Sequence, residues 1–145
     1  MSPPSSTDLA HLFVNVARLH RTRADQVMDR IGLYSGQAVL LSILSRQDGL
    51  THSQVADKLE ISPAAATKVI KRMVQAGYLR RQVDPSDERV SRVYLEEQGR
   101  TVSAEVNRTF GELDSVLFQD LSVSDLELLR DLLTRMRTSL QRWQP

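Results

Sequence analysis

With 145 residues, 41% hydrophobic and 26% charged, the chain is long enough to bury one core, and 19 basic against 18 acidic residues leave it near neutral overall. The absence of Cys excludes a disulfide framework, a thiolate metal site and cysteine-based redox sensing. No stretch reads as a signal peptide or a membrane span, so the expectation is a cytoplasmic protein without a membrane partner.

The opening Ser2-Pro3-Pro4-Ser5-Ser6-Thr7 is polar and reads as a disordered lead-in. From Asp8 to Arg30, Leu9, Leu12, Phe13, Val16, Leu19, Val27 and Met28 trace a helical stripe, with Arg18, Arg21, Arg23 and Arg30 mostly beside it. Gly32 breaks this helix, and Ser35 is placed to cap a second that runs to Arg46 with Val39, Leu40, Ile43 and Leu44 inward. Gln47-Asp48-Gly49 makes the turn into the next segment.

Thr51 and Gln54 have the capping-box spacing, and Val55, Ala56 and Leu59 form the apolar side of the short helix they open. Ser62 caps the following helix, Pro63 falls at its first position and Gly77 supplies its stop. Ala66, Val69, Ile70, Met73 and Val74 recur at helical spacing and belong inside. Ala64, Ala65, Thr67, Lys68, Lys71, Arg72 and Gln75 are left facing out, a short, polar and basic surface. Leu59-Glu60-Ile61 is a connection of helix-turn-helix length, which would present the second helix to DNA. Small Ala64 and Ala65 permit close approach to base edges, while Thr67, Lys68 and Lys71 can hydrogen-bond there.

Tyr78 to Val83 and Val90 to Leu95 are β-prone, and Asp84-Pro85-Ser86-Asp87-Glu88-Arg89 between them is rich in turn formers. A hairpin directly after a helix-turn-helix is a wing, and the Asp87 carboxylate is spaced to orient the Arg89 guanidinium toward a narrow minor groove. Arg72, Arg80, Arg81 and Arg92 are candidates for phosphate or for carboxylates of their own. Two further helices follow, Glu97 to Asp120 and, after a break at Leu121 to Ser124 with Ser122 as cap, a last one carrying Leu126, Leu129, Leu132, Leu133, Met136, Leu140 and Trp143 on a nearly heptad stripe.

Charge divides unevenly along this order. Residues 1 to 50 hold five basic and four acidic groups, residues 51 to 95 eight and five, and residues 96 to 145 six and nine. The differences of +1, +3 and −3 concentrate positive charge on the helix-turn-helix and wing, as expected where one face meets phosphate.

The segment resembles the MarR (multiple antibiotic resistance regulator) family of winged-helix transcription factors. Gly49-Leu50-Thr51, Ile61-Ser62, Gly77-Tyr78-Leu79 and Asp84-Pro85-Ser86-Asp87-Glu88-Arg89 running on to Leu95 and Gly99 carry the likeness, and the flanking helices match in number, order and length. Two departures are Glu60, where the turn often holds Gly, and Glu96, where a capping Thr is common. The expected fold is mainly α with a small β-wing: one domain, with a winged helix-turn-helix lobe at 34–95 and long dimerisation helices at 8–30 and 97–143.

The three long amphipathic helices have apolar faces larger than the winged lobe can cover, which predicts a homodimer. That dimer should bind double-stranded DNA at a pseudo-palindromic operator through Ser62, Ala64, Ala65, Thr67, Lys68, Lys71, Arg72, Asp87, Arg89 and Arg92, and the resemblance implies that it represses transcription. The resemblance also implies a small, often anionic aromatic effector between the dimerisation helices and the lobe, where His20, Arg21, Tyr34 and Arg46 are the candidate lining. No cofactor or metal is expected: His11 and His20 lie nine residues apart, about 900° of helix rotation and so on opposite sides, and His52 reads as an exposed polar residue. No HExxH, P-loop, GxGxxG or Ser/His/Asp arrangement can be assembled, so the chain is not read as an enzyme. A winged-helix dimer that uses its basic face for an acidic protein partner is the rival reading, and salt-sensitive, sequence-dependent DNA retardation separates the two.

Overall fold

The chain runs α1 (Ser6–Ile31), α2 (Ser35–Arg46), β1 (Leu50–Thr51), α3 (His52–Leu59), α4 (Pro63–Gln75), β2 (Leu79–Asp84), β3 (Asp87–Leu95), α5 (Glu97–Phe118) and α6 (Val123–Arg142), and the computed structural model describes residues 3–144. It forms two compact units that meet inside α5, one ending at Gly111 and one beginning at Glu112.

Local signals place most helix ends. Thr51 Oγ accepts from Gln54 N at 3.2 Å while the Gln54 side chain accepts from Thr51 N at 2.9 Å, the reciprocal pair its spacing predicts. Ser62 and Ser122 cap α4 and α6 through the N–H groups of Ala65 and Asp125. Two expectations shift. Of the lead-in, Ser2 lies outside the described residues, whereas Ser5 caps α1 by accepting from Asp8 N and Ser6 and Thr7 are already helical. Tyr34 rather than Ser35 is the cap position of α2, and there the Gln37 side chain accepts from Tyr34 N at 3.1 Å.

The wing is tighter than the turn-rich run suggests. β2 and β3 stay paired out to Asp84 and Asp87, with a register irregularity at Val83/Asp84, so only Pro85 and Ser86 turn the chain. β1 adds a third strand, in the order β1-β3-β2, through the pairs Leu50↔Val93 and Thr51↔Arg92. Two residues carry no periodicity of their own, which is why the sequence reading passes over this strand.

In the first unit Met28, Leu40, Leu41, Leu44, Leu50, Val55, Ile70, Met73, Val93 and Val106 are fully buried, drawn from α1, α2, β1, α3, α4, β3 and α5. Val39, expected inward, stays exposed, and Ala38 and Leu41 take the inner side of α2. Only the end of α1 joins this core; Leu9, Leu12, Phe13, Val16 and Leu19 remain exposed. In the second unit no residue of α6 is buried, and Leu132, Leu133, Met136, Leu140 and Trp143 are all exposed.

Two backbone constraints position the helix-turn-helix. Glu60 ends α3 in the left-handed region at φ 53°, ψ 43°, a conformation that strains any residue bearing a Cβ. Gly99 packs the first turn of α5 onto the strand entry so closely that a Cβ there would lie 2.1 Å from Tyr78 O. Glu96, next to it, turns its carboxylate toward Arg80 at 3.5 Å.

Glu60→Gly should therefore stabilise the fold by about 1 kcal/mol, seen as a melting temperature a few degrees higher in calorimetry. Gly99→Ala should lose roughly 1 to 3 kcal/mol, because the backbone carbonyl it meets cannot move aside as a flexible side chain would.

Candidate nucleic-acid interface

The orientation of α4 follows from its inner side. Ala66, Ile70 and Met73 are buried, and Val69 and Val74 pack half-buried against the same core. Ala64, Thr67, Lys68, Lys71, Arg72 and Gln75 are consequently exposed, with Ala65 half-buried at the edge. Ser62, also exposed, spends its oxygen lone pair on Ala65 N, and Thr67 donates its hydroxyl proton to Pro63 O at 3.0 Å. Thr67 therefore presents its methyl group and an acceptor rather than a donor.

The basic residues sort into two groups. Arg80 is held on its own sheet: it stacks 4.6 Å from the Tyr94 ring centroid, donates to Gln82 at 2.6 Å and faces Glu96. Arg81 reaches across to Ser91 Oγ at 3.4 Å. Arg92, named among the DNA-facing residues, instead takes a carboxylate of its own, donating from Nε to Asp84 Oδ2 and from Nη1 to Gly49 O. By contrast, among the described residues no hydrogen bond or ion pair within the chain holds the side chains of Lys68, Lys71, Arg72 or Arg89.

Asp87 requires a correction. Its carboxylate accepts from the backbone N–H of Arg89 at 3.0 Å, so it fixes the turn of the chain rather than the guanidinium. Asp84, which sequence reasoning left among the turn formers, is the carboxylate that organises the wing. Ser86 donates to its Oδ1 from both hydroxyl and backbone N–H, and with Arg92 these bonds hold the Asp84 carboxyl far below the usual carboxylate range. The signal was present in Asp84-Pro85-Ser86, an Asx-turn pattern, but nothing local tells which distant cation answers it.

His52 also differs from expectation. Its ring is partly buried, its Nε2 has no partner among the described residues, and burial with the nearby Arg81 charge lowers its pKa. It is therefore a half-buried group at the start of α3 rather than an exposed polar residue. Of the effector candidates, Tyr34 is 71% exposed, Arg21 and Arg46 are exposed and His20 is half-buried, spread over α1, the start of α2 and its last turn. Among the described residues no helix is long and apolar enough to cross a membrane.

Comparison with known proteins agrees with this geometry. The MarR family model matches residues 33–91, from the connection between α1 and α2 to the outer part of β3 in the wing. The transcriptional regulator AdcR of Streptococcus pyogenes is 32% identical over 114 residues, 77% of this chain and 77% of its own length. The HTH-type transcriptional regulator YdgJ of Bacillus subtilis is 28% identical over 109 residues, and the match spans 75% of this chain but only 66% of that protein. The crystal structure of S. aureus MepR bound to DNA superposes with a TM-score of 0.82 over 90% of this chain and 96% of that one, at 24% identity, a likeness of fold. AdcR and YdgJ are transcriptional regulators by name, and such proteins are not enzymes. A winged helix-turn-helix that carries the family pattern from Leu33 to Ser91, in a chain keeping 32% identity with a transcriptional regulator over 77% of both lengths, makes this protein a member of the MarR family.

Proposed function

We propose that the chain is a cytoplasmic, homodimeric transcriptional repressor that binds a pseudo-palindromic DNA operator. The observation that carries this reading is the placement of four cations: Lys68, Lys71 and Arg72 on the outer face of α4 and Arg89 at the wing tip, where a winged helix meets DNA, are exposed and hold no partner among the described residues. In this reading Ser62, Ala64, Ala65, Thr67 and Lys68 approach base edges in the major groove, Lys71 and Arg72 take phosphates, and Arg89 enters the adjacent minor groove. MepR, whose fold this chain shares, was crystallised with DNA.

The exposed apolar stripes of α1 and α6 support the dimer. Phe13, Leu12 and Leu19 on one helix and Leu133, Met136 and Leu140 on the other are large side chains that a soluble monomer rarely leaves uncovered. Residues 8–30 and 97–143 then serve as dimerisation helices around a lobe at 34–95, and the two copies of α4 read half-sites about 34 to 36 Å apart. A small aromatic acid, held near His20, Arg21, Tyr34 and Arg46, relieves binding if it prefers a dimer geometry that does not fit the operator.

The test is gel retardation of the DNA upstream of the protein's own gene. Wild-type protein should retard it in a salt-sensitive, sequence-dependent way, and Arg89→Ala should bind more weakly, with a salt slope lower by about 1 and an unchanged melting temperature. Full affinity in that variant would refute the wing assignment, and failure of the wild type to retard any duplex would favour a protein partner for the basic face.

A further inference from the structure

The wing changes character at Arg92. At Arg92 β3 still lies between two neighbours, Thr51 of β1 on one side and Gln82 of β2 on the other. Toward the tip β1 has ended, and residues 83–91 continue as a two-stranded ribbon in which Asp84 is the single buried residue. Val83, on β2 just before Asp84, is 54% exposed. Two strands without an apolar core are marginally stable in water and free to swing about the sheet they leave.

What opposes that swing is one guanidinium. Arg92 Nε donates to Asp84 Oδ2 at 2.5 Å and Nη1 donates to Gly49 O at 2.9 Å, while Asp84 Oδ1 accepts from Ser86 N at 2.9 Å and Ser86 Oγ at 2.5 Å. Gly49 stands two residues before Thr51, the cap of α3. The wing turn is thus tied, through Asp84 and Arg92, to the backbone that opens the helix-turn-helix. We infer that Arg92 is a positioning residue for operator binding: it sets the angle between the wing tip and the helix-turn-helix so that Arg89 meets the minor groove while α4 occupies the major groove. This rests on the DNA-binding reading above, and it removes Arg92 from the set of residues that touch DNA.

A phosphate-contact role for Arg92 and a positioning role predict opposite signs at its partner. If Arg92 bound phosphate, Asp84 would compete for it, and Asp84→Asn would release the guanidinium and remove a negative charge near DNA, so binding would tighten. As a clamp, the same substitution frees the wing and binding weakens, against the direction of the charge change. Lysine separates the two roles as well: it keeps the charge a phosphate needs but cannot reproduce the planar fork that spans Asp84 and Gly49.

Operator affinity as a function of salt decides the matter, measured for the wild type, Asp84→Asn, Arg92→Lys, Arg92→Gln and the Asp84→Asn/Arg92→Gln double variant. Each single variant should lose affinity by on the order of tenfold, the cost of ordering a freed wing that still docks Arg89 once bound. The double should be no weaker than the weaker single, and every salt slope should therefore equal that of the wild type. Hydrogen exchange in the free protein should quicken at residues 87–91 and stay unchanged in α4, which also shows that the variants fold. Tighter or equal binding by Asp84→Asn, retained affinity in Arg92→Lys, or a slope lowered by about 1 in Arg92→Gln would overturn the positioning role while leaving DNA binding in place. A wild type that binds no duplex would overturn both.

Discussion

Burial of one side of α4 is the constraint on which the remaining features depend. Ala66, Ile70 and Met73 are inside the first unit, and fully burying side chains the size of Ile70 and Met73 is worth about 1.5 to 3 kcal/mol each. A helix repeats every 3.6 residues, so fixing those positions also fixes which residues meet solvent. Thr67, Lys68, Lys71 and Arg72 are outside because Ile70 and Met73 are inside. The caps reinforce that setting: Ser62 starts the helix, and the Gly77 turn, where Tyr78 N donates to Met73 O, ends it beside the strand that Gly99 packs against.

The charged residues of the lobe then divide by what they already hold. Arg80 lies over Tyr94 and beside Glu96, Arg92 joins Asp84 to Gly49, and Asp48 accepts from Gly49 N and Leu95 N while facing Arg100 at 3.7 Å. These groups secure the sheet to the helices around it. Lys68, Lys71, Arg72 and Arg89 secure nothing within the chain, and their exposed charges are the ones a polyanion can use at little cost in lost internal bonds. A near-neutral net charge therefore conceals a cationic surface, because the acidic excess lies in residues 96 to 145.

Much of the fold was legible in the sequence wherever a rule acts over a few residues. The capping pair Thr51 and Gln54, Pro63 at the start of α4, Gly77 after its end and the strain at Glu60 all appear as local spacing implies. The α4 face was readable for the same reason, since periodicity alone assigns it. The wing hairpin was readable from its two β-prone runs, but the bonds that hold it were not, because they join residues 8 and 43 positions apart, Asp84 with Arg92 and Arg92 with Gly49. Asp87, two residues before Arg89, bonds the Arg89 backbone N–H and not its guanidinium. Strand β1 was missed because two residues acquire strand character only when β3 lies beside them.

The central claim is that the outer face of α4 and the wing tip address one half-site together, and the lack of native Cys permits a direct measurement. Thr67→Cys and Glu88→Cys variants, each carrying an iron chelate on the single thiol, can be bound to operator DNA and triggered to cleave it. The account predicts cuts from position 67 in a major groove and from position 88 in the minor groove next to it, repeated symmetrically in the second half-site. Cleavage from one position only, or cuts from the two positions that fall in unrelated places on the duplex, would contradict it.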